Sequence, residues 1–235
     1  MSRPRHRRVA IPDLDLLDWK RRTSELYREV RAAGGSLAAW RRWREVRDRL
    51  FAAHPQSPIP PRARLSFGGL PYFPYDPAAR VLAVVRRRTP RRVDLSDADG
   101  RAIATTCFAT ASFTLHGRSL TLALYWVSGY GGGLLVPFRD ATSGRESYGA
   151  GRYVLDTVKG ADLGAHRGRL VLDFNFAYNP SCAYDARWSC PLPPPANWLA
   201  VPVRAGECAP RTATPVDSHA RRARRTAPAR GRIPG

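Results

Sequence analysis

Apolar residues recur at helical spacing only near the start of the chain. Residues 13–31 begin on Asp13, carry Leu14, Leu17, Leu26, Tyr27 and Val30 on one side, and stop at Gly34-Gly35; an acidic first turn and a glycine stop are helix signals. Ser36 is placed to cap a second helix. Its apolar side steps through Leu37, Trp40, Trp43, Val46 or Arg47, and Leu50 before His54-Pro55 closes it. Steps of three and four bury one face, so the tryptophans are expected in a core. From Pro58 the texture changes to short apolar runs broken by Gly, Pro and Asp. Strands are predicted at residues 64–67, 81–86, 92–95, 103–108, 111–115, 120–127, 134–138, 153–155, 170–174 and 199–203. Tight turns are expected at 97–100 and 116–119, where glycine supplies positive φ.

Short strands joined by close turns, with no interleaved helices, predict an α+β chain that is mainly β with N-terminal helices, the β part being an antiparallel sandwich or barrel-like domain. The boundaries read as a basic tail over 1–12, a helical arm over 13–57, a β-rich domain over 58–208 and an Arg-rich tail over 209–235. Residues 120–138 are uncharged and long enough to span a bilayer, but Gly129, Gly131, Gly132 and Gly133 break them into strand, loop and strand, so no membrane segment is expected.

The 235 residues carry a formal charge of +20, and of the 39 basic residues only Lys20 and Lys159 are lysines. Arginine enrichment of that kind follows GC-rich coding and does not by itself imply nucleic acid as a partner. Much of the excess lies in the two tails, which lack apolar periodicity and are expected to be solvated and disordered, with weak nonspecific polyanion binding. Arg86, Arg87, Arg88, Arg91 and Arg92, flanking Pro90, read as a solvated strand end and turn. The basic opening runs straight into Asp13, Asp15 and Asp18 with no apolar segment between, so a cytoplasmic setting is expected, with Cys107, Cys182, Cys190 and Cys208 as reduced thiols. The seven residues between Cys182 and Cys190 fit no usual zinc spacing. Neither metal nor cofactor is expected, and these two thiols are assigned to packing.

Polar and aromatic motifs concentrate between Phe138 and Glu207. They are Phe-Arg-Asp-Ala-Thr-Ser-Gly at 138–144, Tyr-Gly-Ala-Gly-Arg-Tyr at 148–153, Asp-Phe-Asn-Phe-Ala-Tyr-Asn-Pro-Ser-Cys-Ala-Tyr at 173–184, Cys-Pro-Leu-Pro-Pro-Pro-Ala-Asn at 190–197 and Arg-Ala-Gly-Glu at 204–207. In that order, with Trp40-Arg41 and Ser57-Pro58 ahead of them, they resemble the bacterial and archaeal domain-of-unknown-function 1684 family over residues 37–207. The resemblance implies no reaction and lends no residue a catalytic role. The Arg-rich tail and the glycine loop at 129–133 depart from the pattern.

Chemically, the motifs offer Arg139, Asp140, Arg152, Asp173, Asn175, Tyr178, Asn179 and Glu207 as candidate ligand-binding residues. An arginine fork would grip an anionic group while Tyr178 and Asn175 orient it. Two other readings stand beside this one. In the first, Asp140, Asp173 or Glu207 does hydrolase-like acid or base work. In the second, the set is a structural network serving the backbone around the five prolines between Pro180 and Pro195. Ser143 and Cys182 have no histidine near them in sequence that would activate them. Arg152 and Asp173 are expected to meet as a buried ion pair.

Overall fold

The computed structural model describes residues 11–211. The tail expectations fall on residues 1–10 and 212–235, outside the described residues. Helix α1 spans Pro12–Ala32 and α2 spans Leu37–Ala53. The Ser36 hydroxyl accepts a hydrogen bond from the Ala39 amide at 3.3 Å, the cap expected of it. A single turn, α3, covers Pro61–Arg64. The strands are β1 (Arg80–Ser96), β2 (Ala102–Leu115), β3 (Arg118–Val127), β4 (Gly133–Phe138), β5 (Arg152–Asp156), β6 (Ala165–His166) and β7 (Arg169–Asp173).

The strands form one antiparallel seven-stranded sheet in the order β5-β4-β3-β2-β1-β7-β6, and it does not close on itself. The chain is therefore mainly β with N-terminal helices, as the spacing implies. Several short runs fuse. Residues 81–86 and 92–95 are parts of β1, and 103–108 and 111–115 are parts of β2. The arginine cluster is a bulge within β1, between Arg87 and Arg91, and not a strand end. Pro90 cannot donate to a ladder, and a bulge accommodates it without ending the strand.

Two expected strands are absent. Pro60-Pro61 fix φ for a helical turn, so Arg64 ends α3 and residues 65–67 follow it, and the Arg64 Nε donates back to the Ile59 carbonyl at 2.8 Å. Residues 199–203 run beside residues 139–141 with only occasional bonds, such as Leu199 N to Arg139 O at 2.8 Å. Pro202 has no amide to offer, and the Val203 amide is taken by a carboxylate.

The helices share the core of the sheet. Trp43 is fully buried and meets Phe176 edge-on at 5.3 Å between ring centroids and Tyr27 at 6.3 Å. Trp40 donates its Nε1 hydrogen to the Asn175 carbonyl at 3.1 Å. The tryptophan stripe is core, and it fastens α2 onto the segment that follows β7. Among the described residues no helix is long and apolar enough to cross a membrane.

Candidate functional site

Arg152 opens β5, opposite Phe138 at the end of β4, and is 1% exposed. Its Nη1 donates to the carbonyls of Ala205 (2.5 Å) and Glu207 (3.1 Å), and its Nη2 donates to the Val203 carbonyl (2.8 Å) and Asp140 Oδ2 (3.2 Å). Burial pushes the Arg152 pKa down and Asp140 pushes it back up. The same Asp140 oxygen accepts the Val203 amide at 2.6 Å, while Oδ1 accepts Thr142 (2.8 Å) and Ser143 (3.1 Å) hydroxyls. Every contact is to the protein's own chain. The pair therefore bolts residues 203–207, which have no ladder of their own, to the β4–β5 edge.

A second knot centres on Glu207, which is completely buried. It forms an ion pair with Arg47 of α2, and its Oε2 accepts the Asn179 amide (2.7 Å) and the Tyr184 hydroxyl (2.8 Å). Arg47 lies against the faces of Trp43 (4.7 Å) and Tyr178 (5.1 Å). Gly206 holds the chain in register here at φ 81°. A Cβ at this position would stand 2.5 Å from the Ala177 carbonyl oxygen, so the approach requires glycine.

Asp173 is the correction. It meets Arg80 at 3.9 Å, and not Arg152, because β7 pairs with β1 while β5 lies beyond β4 in the sheet order. Its Oδ1 accepts both the Asn175 amide (3.1 Å) and the Asn175 side chain (2.9 Å), capping the turn Phe174–Phe176. Asn175 in turn holds the Asp76 amide and carbonyl at 2.9 and 2.7 Å. Oδ2, the oxygen nearest Arg80, is buried without a hydrogen-bond partner. Burial accordingly raises the Asp173 pKa to about 6, with Asn175 and Arg80 opposing.

An unfolded aspartate titrates near 3.9. The folded carboxyl thus prefers its proton. The stabilising contribution is complete below about pH 4, falls as pH rises toward 6, and is lost above that, a change of about 3 kcal/mol at most. Asp173→Asn is expected to remove this decline and to equal or exceed the parent chain in stability at pH 7. Urea unfolding of both chains from pH 4 to 7 measures it, and a parallel decline in both would show that Asp173 is not its source.

Arg139 stands apart, with its guanidinium 4.8 Å from the exposed Trp198 ring. The eight candidate residues therefore do not converge on one pocket. They divide among the Arg152–Asp140 bolt, the Glu207 knot with Asn179 and Tyr178, the Asp173–Asn175 cap, and the surface at Arg139.

One cavity touches two of the candidate residues, Tyr178 and Asn179. About 40 Å³ lies between α1, α2 and residues 178–181. A single water needs roughly 10–15 Å³. Trp19, Thr23 and Tyr27 line it from α1 at i, i+4 and i+8, and Arg47 and Phe51 line it from α2. Lys159, Tyr178, Asn179 and Ser181 complete the polar wall, and no carboxylate lines it. Tyr27 Oη and Asn179 Oδ1 are both buried without a hydrogen-bond partner. Trp43, whose ring meets Tyr27 edge-on, likewise has its Nε1 buried without a hydrogen-bond partner. Tyr178 donates to Asp156 at 3.1 Å. A larger open groove of about 610 Å³ between α1 and α2 contains no motif residue, and its Asp18–Arg22 and Asp18–His54 pairs satisfy one another.

Tyr27, Arg47 and Lys159 were not singled out as binding residues from the sequence. Arg47 had a readable signal. It occupies a position on the buried stripe of α2, where a cation must find both a partner and a cavity or carboxylate. Tyr27 and Lys159 had none, since only the docking of α1 against the 157–161 turn brings them together. Among the described residues, no group of three or more His, Cys, Asp or Glu is arranged to hold a metal ion.

No curated protein matches the chain. It is similar to an uncharacterized protein of Haloarcula marismortui with a solution NMR structure. The two are 45% identical, the match covers 72% of this chain and 91% of that one, and the TM-score is 0.54. The family model described as "Protein of unknown function (DUF1684)" matches residues 65–208, which include all eight candidate residues. On these grounds the chain belongs to the DUF1684 family.

Proposed function

We propose that this protein binds a small oxyanion bearing a hydroxyl group, of the size of a short hydroxycarboxylate or hydrogen phosphate, in the cavity beneath α1. The observation that carries the reading is the pair of uncommitted buried polar atoms, Tyr27 Oη and Asn179 Oδ1, on two residues that line the same cavity. Leaving a buried polar atom unmatched costs roughly 1–3 kcal/mol, a cost that a bound ligand offsets. Arg47 and Lys159 bring N–H donors to a wall without carboxylates, their charges being matched by Glu207 and Asp156 behind it, and donors of this kind suit an oxyanion's oxygens. The Asn179 Oδ1 is an acceptor, because its amide nitrogen already donates to the Cys208 carbonyl at 2.8 Å. It therefore asks for a ligand hydroxyl. Trp19, Phe51 and Pro58 supply the cavity's apolar wall.

The motif residues Arg152, Asp140, Asp173 and Asn175 then build the frame, while Tyr178 and Asn179 both belong to the frame and face the ligand. The acid-base alternative draws on the raised pKa of Asp173, but that carboxyl lies against Gly35 and Arg80 and does not line the cavity.

Tyr27→Phe separates binding from folding. It removes a hydroxyl that has no partner, so thermal stability without ligand is expected to hold or rise by about 1 kcal/mol. Affinity for glycolate or phosphate is expected to fall about tenfold, as loss of one hydrogen bond to a charged group implies. Calorimetric titration of the parent and variant chains reads both. Equal affinity in the two, or no saturable binding of any small oxyanion to the parent chain, contradicts the proposal.

A further inference from the structure

Cys182 and Cys190 are both buried, at 5% and 2% exposure, and both are free. Packing alone asks only that two thiols be covered, yet these two residues are also hydrogen-bonded to each other. The Cys182 amide donates to Cys190 Sγ at 3.4 Å. Tyr148 Oη lies 3.8 Å from Cys182 Sγ. A buried sulfur that accepts a backbone amide is favoured as the anion. The Cys190 pKa is accordingly pushed down to about 6 by the Cys182 thiol, against burial and with help from Lys159, while Cys182 is pushed up by Cys190.

We propose that Cys190 and Cys182 are a reactive dithiol, with Cys190 as the attacking and Cys182 as the resolving residue, which closes to an intramolecular disulfide on oxidation by a hydroperoxide. The Cys190 thiolate sulfur attacks the peroxide O–O bond and takes one oxygen as sulfenic acid. The other oxygen leaves as hydroxide and collects the proton that Cys190 lost. The Cys182 sulfur then attacks the sulfenic sulfur and forms the S–S bond, and the displaced hydroxide leaves with the Cys182 proton. Two thiols and one hydrogen peroxide thus give one disulfide and two waters. In a reducing compartment such a pair rests as thiols and oxidises transiently.

Access comes from the segment that covers the sulfurs. Residues 184–191 contain no strand, and Trp188 Nε1 within them is unpartnered. A main tether is the bond from Ser189 Oγ to Asp97 Oδ2 at 2.5 Å, which fastens the segment to the β1–β2 turn. Local opening of such a segment costs less than unfolding the sheet.

The test treats the full chain with hydrogen peroxide at pH 7, then alkylates and digests it. The expected result is a 2 Da loss in the intact chain, a linked peptide joining Cys182 to Cys190, and alkylation falling from four thiols to two, with Cys107 and Cys208 still labelled. Cys182→Ser should instead give a sulfenic acid at Cys190 that dimedone traps. Ser189→Ala should oxidise severalfold faster than the parent chain. Should a variant fail to fold, the linked peptide in the parent chain decides alone. Peroxide that leaves Cys182 and Cys190 alkylatable, or that oxidises Cys107 or Cys208 in preference, overturns the proposal.

Discussion

Replacing Arg152 by methionine is expected to lower the stability of the fold by about 3–5 kcal/mol, because it strands a buried carboxylate and leaves three buried carbonyls without their donor. Asp140 would keep the Val203 amide but lose its counter-ion, and Val203, Ala205 and Glu207 would lose the guanidinium that gathers them. Domains of this kind hold only roughly 5–15 kcal/mol in total, so the variant should unfold at markedly lower urea. Adding Asp140→Asn should cost less than the sum of the two single changes, since the pair acts as a unit. Additive losses, or a loss below about 1 kcal/mol for Arg152→Met, would show that the bolt does not carry the C-terminal segment.

A loss of similar size, about 3–5 kcal/mol, is expected for Glu207→Gln. Arg47 would remain buried without a counter-charge, and the new amide nitrogen would turn a donor toward the Asn179 amide, the Tyr184 hydroxyl or Arg47 itself, all of which now donate. Thermal unfolding by circular dichroism gives the size, and Glu207→Gln melting within a degree or two of the parent chain would mean that the knot is loose.

The helices were legible because their period is local. Ser36, Trp40, Trp43 and Leu50 announce α2 without reference to any other segment, and burial of the tryptophans follows from the period. The antiparallel sheet was legible from its turns, of which His116-Gly117 sits at φ 46° and 74° between β2 and β3. The chemical reading was half right in kind and wrong in pairing. Buried charge at Arg152 and Asp173 demanded partners, but the choice among Asp140, Asp173 and Glu207 is made by strand order, which the residues do not spell out locally. Asp140 lies 12 positions from Arg152, in the neighbouring motif, and Glu207 lies 160 from Arg47, which is in none. The proline-rich segments needed side-chain partners, as expected. Tyr153 donates its hydroxyl to the Pro191 carbonyl at 2.6 Å, and Trp198 Nε1 donates to the Pro193 carbonyl at 2.9 Å. The cavity was invisible because Trp19, Thr23 and Tyr27 of α1 and Arg47 and Phe51 of α2, all outside the motifs, supply much of its wall.

The separation of frame from binding cavity is tested most directly by titrating glycolate into the isotopically labelled full chain and following amide and side-chain resonances. The account predicts saturable shifts centred on Thr23, Tyr27, Lys159, Asn179 and Ser181, with Arg139, Asp140 and Arg152 left in place. Shifts centred on Arg139 and Trp198, or spread without saturation over the surface arginines, would contradict it.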